Sequence, residues 1–477
     1  MHQYIVRYTG EMGTKDKSTR WNLIQLLERN IRKGVQIYYG KEISRQTKIE
    51  AKWDQTIVYC QCDCKEILSH TAGISNFKEV IEHQYHDLDQ MAKTAAEFFL
   101  PMMNGKRFAV RCRREKGKYP IKSREVEIAI GSLLYESGKV DLTNPEILCF
   151  VQVDSKNYYL GGEDIKGVGG YPVGSQGKAL TLISGGFDSP VATYLMYKNG
   201  IDQDLVYFDL GGDVQRDCIL ATSKHLKSKW GFGSKGLLNM INFLPVMDII
   251  LKAPMPFQNM ILKYCFYTVS TKIAQQLSIS VLVTGESIGQ VSTQTLKNLS
   301  VLDQQTPLLI LRPVATMEKK EIIDIARLID THDLAYKGKE LCAIAGKGVV
   351  TGTSLRKFAK ALYTVKEELD QVLEEVTSQR EIFDPMQWEG PRQRIKEVPE
   401  GYQVIDLRSE NEFKIHHVKE AQNIPFAKAM TDFYHWDSNA KYFLICNVGS
   451  QSAILANAMQ EEGFEVQHMS GGMEQID

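Results

Sequence analysis

The sequence predicts a multidomain α/β chain with a doubly wound parallel sheet at its centre, and three observations carry that expectation. Between residue 179 and about 335, short apolar stretches alternate with helical ones: "TLIS", "DLVYFDL", "INFLPV", "SVLVTGE" and "LLILRPV" read as strands of one parallel sheet. Two segments interrupt the pattern, glycine-rich "GGEDIKGVGGYPVGSQG" (161–177) and "DPMQWEGPRQRIKEVPEG" with its three prolines, and both read as boundaries. At 477 residues the chain also exceeds what one hydrophobic core holds.

In chain order, residues 1–58 predict a small α+β unit: strand "QYIVRYT", a helix around Arg20–Arg32, then two short strands. Residues 59–165 predict a second α/β unit, with helix "MAKTAAEFFLPMM", strand "RFAVRCRR", helix "REVEIAIGSLLYES" and strand "EILCFVQVD". The doubly wound sheet occupies 174–383 and closes with one long polar-patterned helix, about 354–380. Residues 395–477 form another small α/β unit.

With 57 basic and 58 acidic residues the chain is not a uniformly basic nucleic-acid binder, although a local basic face stays open. The start "MHQYIVRYTG" lacks the layout of a signal peptide and no apolar run approaches bilayer length, so a soluble, cytoplasmic protein without membrane contact is expected. Nine scattered cysteines argue against a disulfide scaffold. Cys60, Cys62 and Cys64 in "YCQCDCKE" read as buried thiols on one face of a strand. Their C-x-C-x-C spacing has no fourth ligand nearby, and no metal site is assigned to the chain's own residues.

"ALTLISGGFDSPVATYLMYKNG" (179–200) runs strand, glycine loop, helix. Such a turn aims free backbone N–H groups and the positive helix end at one point, which suits phosphate. Gly185 and Gly186 admit close approach, and Ser184 and Ser189 add hydroxyl donors. No Lys follows the glycines as in a Walker A loop, and the G-x-G-x-x-G pattern is absent. Small residues can also merely turn a strand into a helix.

S-G-G-x-D-S after the first strand of such a sheet resembles the pyrophosphate loop (PP-loop) of the ATP-pyrophosphatases, which cleave ATP between its α- and β-phosphates. "LISGGFDSPVATY", "MILKYCFYTVSTKIA", "LVTGESIGQVSTQTL", "LILRPVATMEKKEIIDIAR" and the Cys of "ELCAIAG" then resemble the tRNA 4-thiouridine synthetases over the whole chain. The resemblance implies four domains: N-terminal ferredoxin-like, THUMP RNA-binding, PP-loop and rhodanese-like. It places Leu182, Ile183, Lys263, Gly285 and Gln294 at ATP, with Phe208 after the second strand. It matches Asp188 to the loop carboxylate and Lys319 to a lysine implicated in activity. Lys263 makes sense as a point charge against phosphate, though it also fits a solvated helix face. The implied reaction adenylates the O4 of uridine eight so that AMP leaves as sulfur enters, with Mg²⁺ screening the pyrophosphate.

Residues 104–125 carry nine Lys/Arg against two Glu, among them Lys106, Arg107, Arg111, Arg113, Arg114 and Lys116. A charge run is usually a solvated face; in the stretch resembling a THUMP domain it is expected to meet tRNA. The last unit, with six basic and thirteen acidic residues over 395–477, is expected to meet protein instead. Asp406, Arg408, Glu412, His417, Asn423, Ile424 and Pro425 fit a rhodanese pattern, and the loop Cys446 to Ser452 (C-x-x-G-x-x-S) follows a buried strand. A loop of this kind rings a sulfur with backbone N–H groups, stabilising thiolate and persulfide. Gln451 stands where rhodanese loops often carry Arg, which favours a cysteine desulfurase over thiosulfate as donor. By the same resemblance Cys342 is the partner thiol of Cys446, and a sulfur-carrier protein of thiamine synthesis is a further partner. Two other readings remain open at this point: another PP-loop adenylating synthetase, and a non-catalytic RNA-binding sulfur carrier.

Overall fold

The computed structural model of the chain describes residues 1–114, 121–210, 213–336, 349–390, 397–447, 449–469 and 471–475. The chain divides into two compact units, Met1–Gln176 with Lys198–Gly200, and Gly177–Tyr197 with Ile201–Asp477. Among the described residues, no helix is long and apolar enough to cross a membrane.

The first unit is built on nine strands: β1 (His2–Tyr8), β2 (Lys48–Ala51), β3 (Gln55–Cys60), β4 (Ile74–Gln84), β5 (Arg107–Arg114), β6 (Lys139–Val140), β7 (Ile147–Val153), β8 (Asn157–Gly161) and β9 (Ile165–Lys166). They hydrogen-bond in the order β2-β3-β1-β4-β8-β7-β5-β6, with β9 on β4. The eleven residues of β4 pair with β1 through Ile74–Glu79 and with β8 through Val80–Gln84, so one strand serves both halves of the sheet. The limit expected after residue 58 falls inside β3, and β4, within the second expected piece, pairs with a strand of each.

Two local expectations are corrected here. The first helix runs Lys17–Gln46 rather than stopping near Arg32, because the buried positions Leu23, Ile24, Leu27, Ile31 and Val35 keep helical period past that point. Asp16 caps its start by accepting from the Ser18 and Thr19 N–H groups, and Gly40, at φ +87°, kinks it before β2. The three clustered cysteines do not share a strand. β3 ends at Cys60, Cys62 lies in the following turn and Cys64 opens the helix Lys65–His70; Cys60 and Cys64 are buried and Cys62 is partly exposed. Aspartate between two of them explains the break, since the Asp63 carboxylate accepts from the Lys65 N–H and from the Tyr4 hydroxyl, which is a turn geometry.

In the second unit β10 (Lys178–Leu182), β11 (Asp202–Asp209), β12 (Leu238–Asn242), β13 (Val281–Val283), β14 (Leu309–Leu311) and β15 (Glu381–Phe383) form a sheet ordered β14-β13-β10-β11-β12-β15. The first five are parallel, and β15 adds an antiparallel edge that the sequence did not announce. The order reverses at β10, so the crevice at its C-terminal end is where ligands bind in folds of this type. The helix Gln258–Gln276 is buried along most of its length in an extensive apolar cluster. The long closing helix is two: Leu355–Tyr363 and Lys366–Ser378. They part at Thr364 and Val365, where the Thr364 hydroxyl bonds back to the Ala361 carbonyl and the Val365 side chain is buried.

A four-stranded parallel sheet completes the chain: β16 (Gln403–Asp406), β17 (Gln422–Asn423), β18 (Lys441–Ile445) and β19 (Glu465–His468), ordered β17-β16-β18-β19.

Candidate active site

The loop 183–187 leaves the C-terminal end of β10 and enters the helix Asp188–Lys198. Leu182 ends the strand, and the Ile183 N–H still bonds to the Val206 carbonyl at 2.9 Å, which holds the loop to β11. The Ser189 hydroxyl, buried, accepts from the Ser184 N–H at 2.8 Å and lies 3.1 Å from the Ser184 hydroxyl. The two serines thus lock the turn that Gly185 and Gly186 open. Gly285, just past β13, presses on the same helix start: a Cβ there would sit 2.6 Å from the Ser189 nitrogen, so this position has room for glycine alone.

Two catalytic candidates from distant parts of the chain meet at this turn. The Lys319 ammonium bridges both Asp188 carboxylate oxygens, at 2.9 and 3.0 Å, from the first residue of the helix Lys319–Leu328. It also lies 5.6 Å from the centre of the Phe187 ring, against which His332 stacks at 5.2 Å. Gln294 is buried in the turn Ser292–Gln294, and its side-chain oxygen has no hydrogen-bond partner among the described residues. An orphaned acceptor of this kind suits a bound group with N–H donors.

Phe208 is the penultimate residue of its strand. Its ring is buried, 4.4 Å from Phe266 and 4.9 Å from Phe243. Core packing claims the ring because strand alternation points it at the helix Gln258–Gln276.

In the last sheet Cys446 follows β18 and its thiol is buried. The sulfur accepts from the Gly449 N–H at 3.1 Å and the Ser452 N–H at 3.4 Å, with the Ser452 hydroxyl at 3.5 Å. Gly449 adopts φ +88°, and a Cβ on it would meet the Gly471 nitrogen at 2.6 Å. The surrounding motif residues brace this loop. Asp406 and Arg408 form a buried two-point ion pair, the Asn423 amide bonds to both of their carbonyls, and Asn447 reaches the Glu412 carboxylate at 2.8 Å. Hydrogen bonds from Ser409 and Asn447 hold the Glu412 carboxyl below its ordinary range. His417 stacks on Phe413 at 4.0 Å and bonds to that residue's carbonyl. Cys342 lies outside the described residues.

Family models match three stretches: "Thiamine biosynthesis protein (ThiI)" over 174–366, a rhodanese-like domain over 392–477 and a THUMP domain over 85–162. The tRNA sulfurtransferase of Shewanella woodyi is 32% identical across 97% of this chain and 98% of its own length. The chain belongs to the tRNA sulfurtransferase family. It is therefore a sulfur-transferring enzyme. The Vibrio campbellii sulfurtransferase is 34% identical over the same shares of both chains. A crystal structure of a 4-thiouridine synthetase–RNA complex with bound ATP matches at 26% identity and TM-score 0.71, covering 80% of this chain and all of its own. PH1313 from Pyrococcus horikoshii, 21% identical at TM-score 0.55, shares the fold.

In this sulfurtransferase the basic run lies on β5, where Arg111 and Arg113 alternate with Cys112 and are exposed. Its charges are not equally available. Arg107 pairs with Asp141 and Glu146, and Arg113 with Asp54 at 2.7 Å. Among the described residues, Arg111 bonds to the Leu142 carbonyl and Arg114 to the Ile121 carbonyl and Ser123 hydroxyl, so both keep an uncompensated charge. Lys106 is exposed, and Lys116 lies outside the described residues.

Sequence reasoning missed a buried charge cluster next to Gly285. Glu286 follows Gly285 and is 3% exposed. One carboxylate oxygen accepts from the Tyr267 hydroxyl at 2.6 Å, the Thr284 hydroxyl at 3.0 Å and the Arg312 guanidinium at 3.0 Å. The other faces the Lys263 ammonium at 3.5 Å. Arg312 in turn grips Asp303. Burial alone would raise the Glu286 carboxyl; Lys263, Arg312 and the hydrogen bonds outweigh it and hold the group below its ordinary value. A signal existed: "SVLVTGE" and "LLILRPV" each end an apolar strand in an isolated charge, of opposite sign. The register Val283↔Leu311 brings these strand ends side by side.

Proposed function

We propose that this chain makes 4-thiouridine at position eight of tRNA by transferring persulfide sulfur in an ATP-dependent reaction. The observation that carries the reading is the coexistence in one chain of two complementary sites: an anion-binding turn with Lys319 on Asp188, and a thiol ringed by backbone donors. The first suits a triphosphate and the second a sulfur anion.

The loop N–H groups at 185–189 would hold the phosphates, with Lys263 and Lys319 as point charges and Gln294 as an acceptor for the base. The O4 of the uridine attacks the α-phosphate and pyrophosphate departs, which turns a poor leaving oxygen into AMP. Mg²⁺ commonly takes one or two carboxylates together with substrate phosphates. Asp188 is the residue that would hold it here, exchanging its contact with Lys319, and the ion would screen phosphate charge.

Cys446 would accept sulfur from a cysteine desulfurase as a persulfide, its charge spread over the Gly449 and Ser452 N–H groups. The terminal sulfur attacks C4, AMP leaves, and the RNA is joined to Cys446 by a disulfide. A thiolate from Cys342 then attacks the Cys446 sulfur, releasing 4-thiouridine and leaving a Cys342–Cys446 disulfide for an external thiol reductant to open. Arg111 and Arg114 would meet the tRNA backbone. The domain limits 1–58, 59–165, 174–383 and 395–477 are part of this reading. The thiamine biosynthesis description matched over 174–366 favours a second role, sulfur supply for the thiazole of thiamine through a sulfur-carrier protein.

The test is tRNA-dependent conversion of ATP to AMP by the purified chain, with nucleoside mass spectrometry of the product. AMP formation that ignores tRNA would point instead to another adenylating synthetase. RNA binding without AMP would point to a sulfur carrier.

A further inference from the structure

We infer that His332 is the general base of the adenylation step and that its Nε2 takes the N3 proton of the target uracil. This deepens the reading of the turn at 183–189 as an ATP site acting on uridine, and rests on it. Uracil is a lactam: O4 is double-bonded to C4, and the adjacent N3 carries a proton. An O4 bonded to phosphorus requires a C4=N3 double bond, so that proton must leave as O4 attacks. The Nε2 lone pair takes the proton, and the N3–H electrons become the second C4–N3 bond. The C4=O4 π pair forms the bond to the α-phosphorus, and pyrophosphate departs with the electrons of the bond it leaves. His is the side chain most often used for such transfers.

Other groups at the turn are poorly suited to accept that proton. Lys319 is a donor only, and Asp188 engages its ammonium with both carboxylate oxygens. The Ser184 and Ser189 hydroxyls lie against each other. His332, the first residue of the helix His332–Tyr336, brings an imidazole to the same place. Its ring stacks on Phe187, with centroids 5.2 Å apart and planes 20° from parallel, and Phe187 precedes Asp188. The Lys319 ammonium lies 5.6 Å from that same ring. The helix Lys319–Leu328 therefore delivers a cation from its first residue, and an imidazole from just past its end, to one aromatic side chain.

The tautomer is set for this task. His332 Nδ1 lies 3.2 Å from the Asp333 carboxylate, and a carboxylate only accepts, so Nδ1 carries the hydrogen and Nε2 the lone pair. Among the described residues Nε2 makes no hydrogen bond. The backbone that carries the ring is pinned. The Ile329 carbonyl accepts from the His225 imidazole at 2.7 Å and the Trp230 indole at 3.3 Å, and the N–H of buried Thr331 bonds to the Ala326 carbonyl at 2.9 Å. The His332 side chain is 28% exposed, so a proton taken from substrate can pass to water before the next turnover.

The experiment follows pyrophosphate release in a single turnover by the full chain, with tRNA transcribed with uridine or with 5-fluorouridine, whose N3–H is the more acidic. His332→Phe keeps a ring to stack on Phe187 and removes the base. It should lower the maximal rate on uridine tRNA about a hundredfold, with the ATP and tRNA concentration dependences changed less than about twofold. The loss on 5-fluorouridine tRNA should be about fivefold smaller or less still, because a more acidic proton needs less help to leave. Equal losses on the two tRNAs, a rate within about twofold of the unmodified chain's, or a loss that appears only as weaker ATP binding would overturn the inference. If His332→Phe does not fold, His332→Ala takes its place, and imidazole added to the solution must then restore part of the rate. Failure of the underlying reading looks different: the unmodified chain would release no pyrophosphate with either tRNA.

Discussion

The Cys446 loop is assembled from consecutive residues, 446–452, and stabilises its sulfur with backbone N–H groups that carry no net charge. The turn at 183–189 draws on segments as far apart as Asp188 and Lys319, separated by 131 residues, and joins them through full charges. A local site is correct as soon as its loop closes, and its specification fits within one motif. A distributed site is correct only when the whole parallel sheet is, so its supporting residues are spread through strands and helices that look like ordinary core.

The contrast is broken most sharply by removing one reactive group at each site. Cys446→Ser should reduce 4-thiouridine formation to background while tRNA-dependent AMP release continues; loss of both activities together would mean that the two sites are not separable. Asp188→Ala should abolish AMP formation while the chain still accepts radiolabelled sulfur at Cys446 and still binds tRNA. Adenylation at the unmodified rate would remove Asp188 from the mechanism.

Glycine substitutions sharpen the comparison at the next level. Gly285→Ala forces a methyl group within 2.6 Å of the Ser189 nitrogen and should cost about 1–3 kcal/mol, read as weakened ATP use with persulfide uptake preserved. Gly449→Ala adds a Cβ at φ +88° against the Gly471 backbone and should do the reverse, sparing ATP use and lowering persulfide uptake. On the RNA side, replacing Arg111 and Arg114 should flatten the salt dependence of tRNA binding by about one unit per lost phosphate contact. Replacing Arg113, already paired with Asp54, should flatten it less. An equal change from both would show that the internal pairing does not matter.

The smallest expected effect is on pH. The folded Glu286 carboxyl lies below its ordinary value of 4.5, so its ionised form stabilises the fold. That contribution is complete above the ordinary carboxylate range and is lost as pH falls through the lower, folded value. The acid limb of a stability profile should therefore move toward neutrality in Lys263→Met, which removes the first charge that lowers Glu286.

What could be read from the sequence follows the same division. The strand–loop–helix at 179–200 and the loop at 446–452 were legible because each is a contiguous pattern whose chemistry depends on neighbouring residues. Glu286 and Arg312 were not, since their partnership depends on β13 and β14 lying side by side, a fact of topology. The helix from Lys17 was shortened although its apolar period continues past Gly34 through Val35. Cys60, Cys62 and Cys64 were assigned to one strand because alternation in spacing was taken for alternation in space.

The shared strand β4 has a consequence for how the N-terminal third behaves as matter. Ladder bonds from a single segment close both halves of a nine-stranded sheet, so neither half can open without exposing the other's edge. Amide exchange should report one cooperative unit there, with β1, β4 and β8 opening together at a common free energy. A fragment ending near residue 60 would lack the strand that β1 needs on its far side, and one beginning at 85 would lack the strand that β8 needs. These two modules, separable in sequence, share a single melting event.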